Sequence, residues 1–304
     1  MTGKTMSERT TSRRYAPLGT DIEAPALESG LYLVATPIGN LGDISLRALA
    51  TLAAADMIAC EDTRVTRKLA ERYGIATPLT AYHEHNSDEA LPKILARLDQ
   101  GQTVALVSDA GTPLVSDPGY RLVRAAIDAG HTVTTVPGAS SALAALSLSG
   151  LPSDRFFFEG FLPPKQAARQ KRIGELAAIP ATLIVFETGP RLGASLADLA
   201  AGLDLREAAV CRELTKLHEE VRRAPLPILA EHYAGDAETR GEIVIVIAPP
   251  PDRQTADSDI DTMLRDALAR VSVKDAVGEV ASATGRARRD VYQRALELSK
   301  DQGD

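Results

Sequence analysis

The chain has no tryptophan, and aromatic residues make up only 4% of it. Its core is therefore expected to consist of Ala, Leu, Val and Ile. Aromatic platforms for stacking single-stranded nucleic acid are scarce. Cysteine is almost absent too: Cys60 and Cys211 are the two, in or beside apolar, strand-like runs. Such thiols read as buried groups in a reducing compartment, and no Cys pair has zinc-type spacing. No apolar run approaches the roughly eighteen residues of a membrane span. The first residues are rich in Ser, Thr and Arg but lack the apolar centre of a secretory signal. A cytoplasmic protein without membrane contact is the expectation. There is no excess of positive charge, since the formal net charge is −7. Any nucleic-acid site has to be a local basic patch.

Hydrophobic residues at 44% and charged residues at 25% instead describe a globular chain, and 304 residues suffice for two domains and a small third. Residues 1–29 show no periodicity and read as a mobile N-terminal tail. From Leu31 the pattern alternates. Apolar runs at Leu31–Ala35, Asp56–Cys60, Leu79–Tyr82, Val104–Val107 and Val133–Val136 predict strands, each followed by a segment with helical spacing. That alternation is the mark of a parallel sheet covered on both faces. A boundary falls near Leu151–Asp154. Beyond it, strands are expected at Phe156–Glu159, Ala181–Glu187, Ala208–Arg212 and Glu242–Ala248. A Pro/Asp/Ser linker at 249–259 separates a tail. There Val273–Ala283, a turn at Thr284–Gly285 and Ala287–Leu298 resemble a helix-turn-helix hairpin. The expected domains are 30–150, 151–250 and 258–300.

The predicted strands of the first domain empty into Gly-, Pro- and Asp-rich loops at Thr36–Asp43, Glu61–Arg64, Ser108–Thr112 and Pro137–Ser141. In an open α/β sheet the carboxyl ends of parallel strands share one edge, and ligands bind there. Gly111 permits close backbone approach, while Pro113 and Pro118 stiffen the loop. The alternative for the loop after Val107 is a plain strand-to-helix turn with Asp117 as helix N-cap. There is no G-x-G-x-x-G after the first strand and no G-x-x-x-x-G-K-[ST], so neither a dinucleotide fold nor a P-loop is supported. A G-x-S-x-G nucleophile elbow is also missing. His83 and His85 would share a strand face, but no third or fourth metal ligand stands nearby, so no metal is expected. Glu61–Asp62 reads as a base or anchor, or as a charge pair at a helix start. The basic segment from Lys165 to Arg172 and the turn with Arg286, Arg288 and Arg289 read as nucleic-acid contacts or as solvated faces.

Five stretches together resemble a known family. They are A-T-P-I-G-N-L-G-D-I-S-L-R-A (Ala35–Ala48), C-E-D-T-R-x-T (Cys60–Thr66), S-D-A-G-T-P-L-V-S-D-P-G (Ser108–Gly119), V-P-G-A-S-S-A (Val136–Ala142) and R-E-L-T-K-x-H-E-E (Arg212–Glu220). In this order they resemble the bacterial 16S rRNA (cytidine 2′-O)-ribose methyltransferases of the tetrapyrrole methylase superfamily. The resemblance runs from about Gly30 to Pro250, and the tail is similar to the family's small helical domain. The fold it implies is α/β: a two-domain, tetrapyrrole-methylase-like (class III) methyltransferase with a small helical C-terminal domain. It implies S-adenosylmethionine as methyl donor, a decoding-centre cytidine of 16S rRNA in the assembled small ribosomal subunit as acceptor, and a homodimer.

Carried over by residue, the resemblance assigns the donor to Pro37, Ile38 and Gly39, to Gly111, Thr112, Pro113 and Val115, and to Pro137, Gly138, Ser140 and Ser141. Glu187 and Leu214 are expected near the adenine. Glu61, Asp62, Arg64 and Asp109 are the catalytic candidates. Asp62 or Asp109 would be proton acceptor or sugar anchor, and Arg64 would hold substrate phosphate. Lys165, Arg169, Arg172, Lys216, Arg222 and Arg223 are expected RNA contacts. Two rival readings remain: a superfamily member with another acceptor, such as a precorrin or diphthine, and a non-enzymatic nucleic-acid-binding module.

Overall fold

The computed structural model describes residues 13–235, 239–251, 257–284 and 286–300. Two short strands come first, β1 (Arg14–Tyr15) and β2 (Ile22–Glu23), paired antiparallel. Tyr15 and Ala24 sit in the core, the Ala16 amide donates to the Tyr73 carbonyl at 2.8 Å, and Arg13 pairs with Asp56 at 2.6 Å. From Arg13 onward the segment is therefore anchored, which corrects the expectation of a mobile tail over 1–29; residues 1–12 lie outside the described residues. Two-residue strands are too short to show a period in sequence.

The first sheet contains β3 (Gly30–Val34), β4 (Met57–Cys60), β5 (Leu79–Ala81), β6 (Thr103–Val107) and β7 (Val133–Val136). Their order is β5-β4-β6-β3-β7 and every pairing is parallel. Along β4, Ile58 and Cys60 face one core while Met57 and Ala59 face another. Burial on both faces is why these strands read as continuous apolar runs and not as alternating ones. Helices α1 (Leu46–Ala54) and α2 (Thr63–Arg72) fill the first core, and α3 (Ser87–Asp99) and α4 (Tyr120–Asp128) the second.

Helix α5 (Ser141–Ser149) leads to a second sheet of β8 (Phe156–Phe161), β9 (Thr182–Thr188), β10 (Glu207–Arg212), β11 (Glu220–Pro225) and β12 (Glu242–Ile247). Here the order is β11-β10-β12-β9-β8, and only β8 and β9 run parallel. Helices α6 (Gln166–Leu176), α7 (Leu192–Leu203) and α8 (Leu226–Tyr233) cover one face. The other face packs on α5 and on Ile38 from the loop after β3. The second sheet thus shares a core with α5 and the loop after β3, within one compact unit that ends at Pro249. Strand β11 was not expected. Its polar sequence EVRRAP pairs with β10 alone, and an edge strand of that kind carries little apolar signal.

The second unit begins at Pro250. Helices α9 (Asp257–Leu268), α10 (Val273–Thr284) and α11 (Arg288–Lys300) enclose their own core around Leu264, Ala276, Val280 and Ala295. Asp261 accepts two hydrogen bonds from the Arg294 guanidinium, each at 2.6 Å. Gly285, at the expected turn, lies outside the described residues.

Candidate active site

Three loops at the carboxyl edge of the first sheet are joined by hydrogen bonds. The Thr36 amide donates to the Gly111 carbonyl at 2.9 Å, and the Gly111 amide returns one to Thr36 at 3.1 Å. The Thr112 hydroxyl donates to the Ala139 carbonyl at 3.1 Å, which ties in the loop after β7. Gly111 has φ +81°, a conformation that excludes most side chains, and a Cβ there would also press on Ile38 at 3.3 Å. Leu114 (φ 73°) and Ser116 (φ 62°) occupy the same left-handed region without being glycine. Glu213 (φ 49°) and Thr215 (φ 66°) do so after β10. Such strain persists only where surrounding contacts enforce it, and it gathers at binding loops.

Between these loops and the second sheet lies a cavity of about 340 Å³. Of the expected donor residues, Ile38, Gly111, Thr112, Val115, Ser140, Ser141, Glu187 and Leu214 line it. Pro37, Gly39, Pro113, Pro137 and Gly138 do not. Pro37 and Pro113 are buried behind the wall, and Pro137 and Gly138 face solvent. Gly39 is pressed against the second half, since a Cβ there would meet Lys216 Cγ at 2.5 Å. The Glu187 side chain is 0% exposed, and its carboxylate accepts from the Ser195 hydroxyl and, at 2.8 Å, from the Thr188 amide, with Arg191 Nε at 3.2 Å. Those partners fix the Glu187 side chain within the cavity wall.

The aromatic lining escaped sequence reasoning. The chain's five phenylalanines all fall between Phe156 and Phe186. Phe186 packs edge-on against Phe158 (4.9 Å) and Phe161 (5.7 Å), and Phe161 and Phe186 line the cavity. The clustering within F-F-F-E-G-F was the available signal.

A second cavity of about 480 Å³ opens beside the first, and Glu61 and Asp109 line both. Asp62, Arg64, His83 and His85 complete it. Asp62 caps α2 by accepting from the Arg64 amide at 2.8 Å and pairs with the Arg64 guanidinium at 2.6 Å. Those bonds, the guanidinium's first, hold its carboxyl down at about 2. Asp109 Oδ1 accepts from the Asp62 amide at 2.9 Å. Burial nevertheless raises Asp109, and burial followed by the Asp109 charge raises Glu61. Asp117 also lines the first cavity, and burial pushes it up to about 6 against a partly offsetting hydrogen bond with Ser108. The alternative of Asp117 as N-cap of α4 does not hold, because Gly119 occupies that position. Three carboxyls with raised affinity for protons thus meet at one edge. His83 Nδ1 is buried without a hydrogen-bond partner. No group of three or more His, Cys, Asp or Glu fit to hold a metal ion occurs among the described residues.

The expected RNA contacts are mostly engaged elsewhere. Arg169 is 5% exposed and ion-paired with Asp198 at 2.6 Å inside the protein, so it belongs to no surface patch. Arg172 is clasped by Glu159 and Glu175, and Lys216 by Glu213 and Glu242. Arg222 pairs with Glu220, while Arg223 donates to the carbonyls of Leu148 and Ser149. Of the six, Lys165 and Arg223 are exposed with no ion pair among the described residues. Helical spacing in α6 suggested a basic face, but sequence does not show which cations already have acidic partners. Among the described residues no helix is long and apolar enough to cross a membrane.

Comparison with known proteins agrees with this geometry. The family of tetrapyrrole (corrin/porphyrin) methylases matches residues 30–230, and the RsmI C-terminal HTH domain matches residues 254–299. The chain is 54% identical to the ribosomal RNA small subunit methyltransferase I of Mesorhizobium japonicum over 286 residues, 94% of this chain and 97% of that one. It is 43% identical to the protein of the same name from Escherichia coli O157:H7, over 88% of this chain and 94% of that one. Among solved structures, the cobalt precorrin-4 methyltransferase of cobalamin biosynthesis aligns with a TM-score of 0.55 at 17% identity, over 72% of this chain and 94% of that one. Diphthine synthase aligns with a TM-score of 0.55 at 20% identity, over 72% and 89%. The two structural likenesses establish the fold, and the sequence matches go further: this chain belongs to the tetrapyrrole methylase family and is a methyltransferase.

Proposed function

We propose that the protein transfers the methyl group of S-adenosylmethionine to the ribose 2′-hydroxyl of a decoding-centre cytidine in 16S rRNA. It acts in the cytoplasm, as a homodimer, on the assembled small subunit. Family membership and the names of its relatives support methylation of small-subunit ribosomal RNA with this donor. The observation that carries the finer reading is the pair of adjoining cavities with Glu61 and Asp109 common to both.

The first cavity suits the donor. Its volume lies in the range of about 300–1,000 Å³ that small-molecule sites occupy. Its walls combine apolar Ile38, Val115, Leu214 and Phe186 with backbone of the Gly111 loop. The donor supplies an electrophilic sulfonium methyl. The protein's task is to align an acceptor oxygen with it and to take the hydroxyl proton.

Asp109 is the assigned proton acceptor. It faces both cavities, and burial raises its proton affinity toward that of a useful base. Asp62, held at about 2, is too weak a base for the role. Its amide fixes Asp109 instead, and its carboxylate holds Arg64 at the rim. Glu61 stands beside Asp109, raised by burial and then by the Asp109 charge. Calorimetry with S-adenosylmethionine and transfer of its labelled methyl to small subunits lacking the modification test the reading. Donor binding followed by labelling of one cytidine ribose is expected. Labelling of a base, or of no RNA, would remove it.

A further inference from the structure

Helix α2 begins immediately after Glu61 and Asp62, and its outward residues follow one stripe. Arg64, Arg67, Lys68, Glu71 and Arg72 stand at i, i+3, i+4, i+7 and i+8, and all are exposed. Thr66, Leu69 and Ala70 form the buried face opposite. Four of the five stripe residues are cations in a protein whose net charge is −7. Arg67, Lys68 and Arg72 have no ion-pair partner among the described residues. Arg72 lies 5.9 Å from the Tyr73 ring centre, and Arg64 is 88% exposed despite its bond to Asp62. At about 1.5 Å of rise per residue, the stripe from Arg64 to Arg72 extends about 12 Å. Arg64, at one end, lines the acceptor cavity. On α6, by contrast, Arg169 and Arg172 are neutralised by Asp198, Glu159 and Glu175.

We propose that the outward stripe of α2 is the track for the substrate RNA's sugar-phosphate backbone, and that it delivers the acceptor nucleotide into the cavity at Arg64. This rests on the reading of the protein as an RNA methyltransferase. Charge complementarity identifies the occupant: unpaired cations on extended stems, one helical turn apart, fit successive phosphates and give no base specificity. Acceptor choice stays with the cavity, and the stripe sets where the strand lies.

The full-length variant R67Q/K68Q/R72Q tests the track, with small subunits from cells lacking the enzyme as substrate and K93Q/R124Q as a control away from the stripe. The KM for subunits should rise at least tenfold while kcat at saturation stays within about threefold. The slope of log affinity against log salt should become shallower by about 2, the sum for three single-strand phosphate contacts. Donor affinity by calorimetry should match the wild type and verifies that the variant is folded. The control should leave KM and slope unchanged. Unchanged KM and slope in the folded triple variant would overturn the track. So would an altered oligomeric state with RNA affinity intact, which would assign the stripe to a second copy of the chain. Wild-type protein that binds subunits with this stripe dependence yet transfers no methyl would defeat the functional reading and leave the track standing.

Discussion

The two five-stranded sheets of the first unit use their strands differently. In the first, every strand is parallel, so β3, β4, β6 and β7 release their loops at one edge and bring Thr36, Glu61, Asp109 and Ser140 toward each other. In the second, antiparallel pairings send successive loops to opposite ends. That sheet supplies a wall, with Phe186, Leu214 and Val244 lining the donor cavity from strand ends and interiors. Direction of pairing thus divides the labour. The parallel sheet concentrates titratable groups, and the antiparallel sheet provides apolar shape.

Variants on the two sides should separate accordingly. The largest effect is expected from Asp109→Asn, which keeps the shape but removes the base. Single-turnover transfer should fall by about 10²–10⁴-fold, with donor affinity by calorimetry within a few-fold of wild type. A loss of donor binding of comparable size would place Asp109 on the wall instead. Next is Arg169→Ala on the second half. Leaving Asp198 buried and unpaired should cost about 3–5 kcal/mol of stability, seen as a lower Tm. The salt slope of RNA affinity should not change, whereas a surface contact would show the reverse pattern. Phe186→Ala should weaken donor binding by about 10–100-fold through lost burial of the ligand's apolar face. The KM for subunits should stay near wild type, and a rise there would erase the separation between the sides.

The smallest effect concerns Asp117 and has a definite sign. Burial holds its carboxyl up at about 6 in the folded protein, against an ordinary value of 3.8 in the unfolded chain. The folded state therefore binds the proton more tightly. The stabilisation is complete below the unfolded value and disappears as pH rises through about 6. Asp117→Asn removes the charge that burial disfavours. The variant should exceed wild type by on the order of 1–2 kcal/mol at pH 8 after allowance for solvent screening. The advantage should vanish near pH 4, as urea denaturation at the two pH values would show.

The first sheet was legible because its chemistry is contiguous in sequence. Each apolar run passes directly into the loop it positions, as Val107 into Ser108–Asp109 or Cys60 into Glu61–Asp62. The loops that meet at the candidate site could therefore be named before folding. What stayed hidden depends on partners remote in the chain. Arg169 read as a surface cation because Asp198 lies 29 residues away. The close approach of Gly39 to Lys216 joins residues far apart in the chain. The alternative of Asp117 as a cap failed because Gly119 takes that position, and Asp117 lies buried instead. The stripe on α2 was countable at i, i+3 and i+4, yet the lack of ion-pair partners for Arg67, Lys68 and Arg72 among the described residues became visible only in three dimensions.

Mapping 2′-O-methylation across 16S rRNA tests the central claim most directly. It should be done in cells lacking this protein, in cells with it restored, and in cells carrying Asp109→Asn. A single cytidine ribose methyl should be missing without the protein, return with the wild type, and stay missing with the variant. An unchanged ribose pattern in cells lacking the protein, or full restoration by Asp109→Asn, would contradict the account.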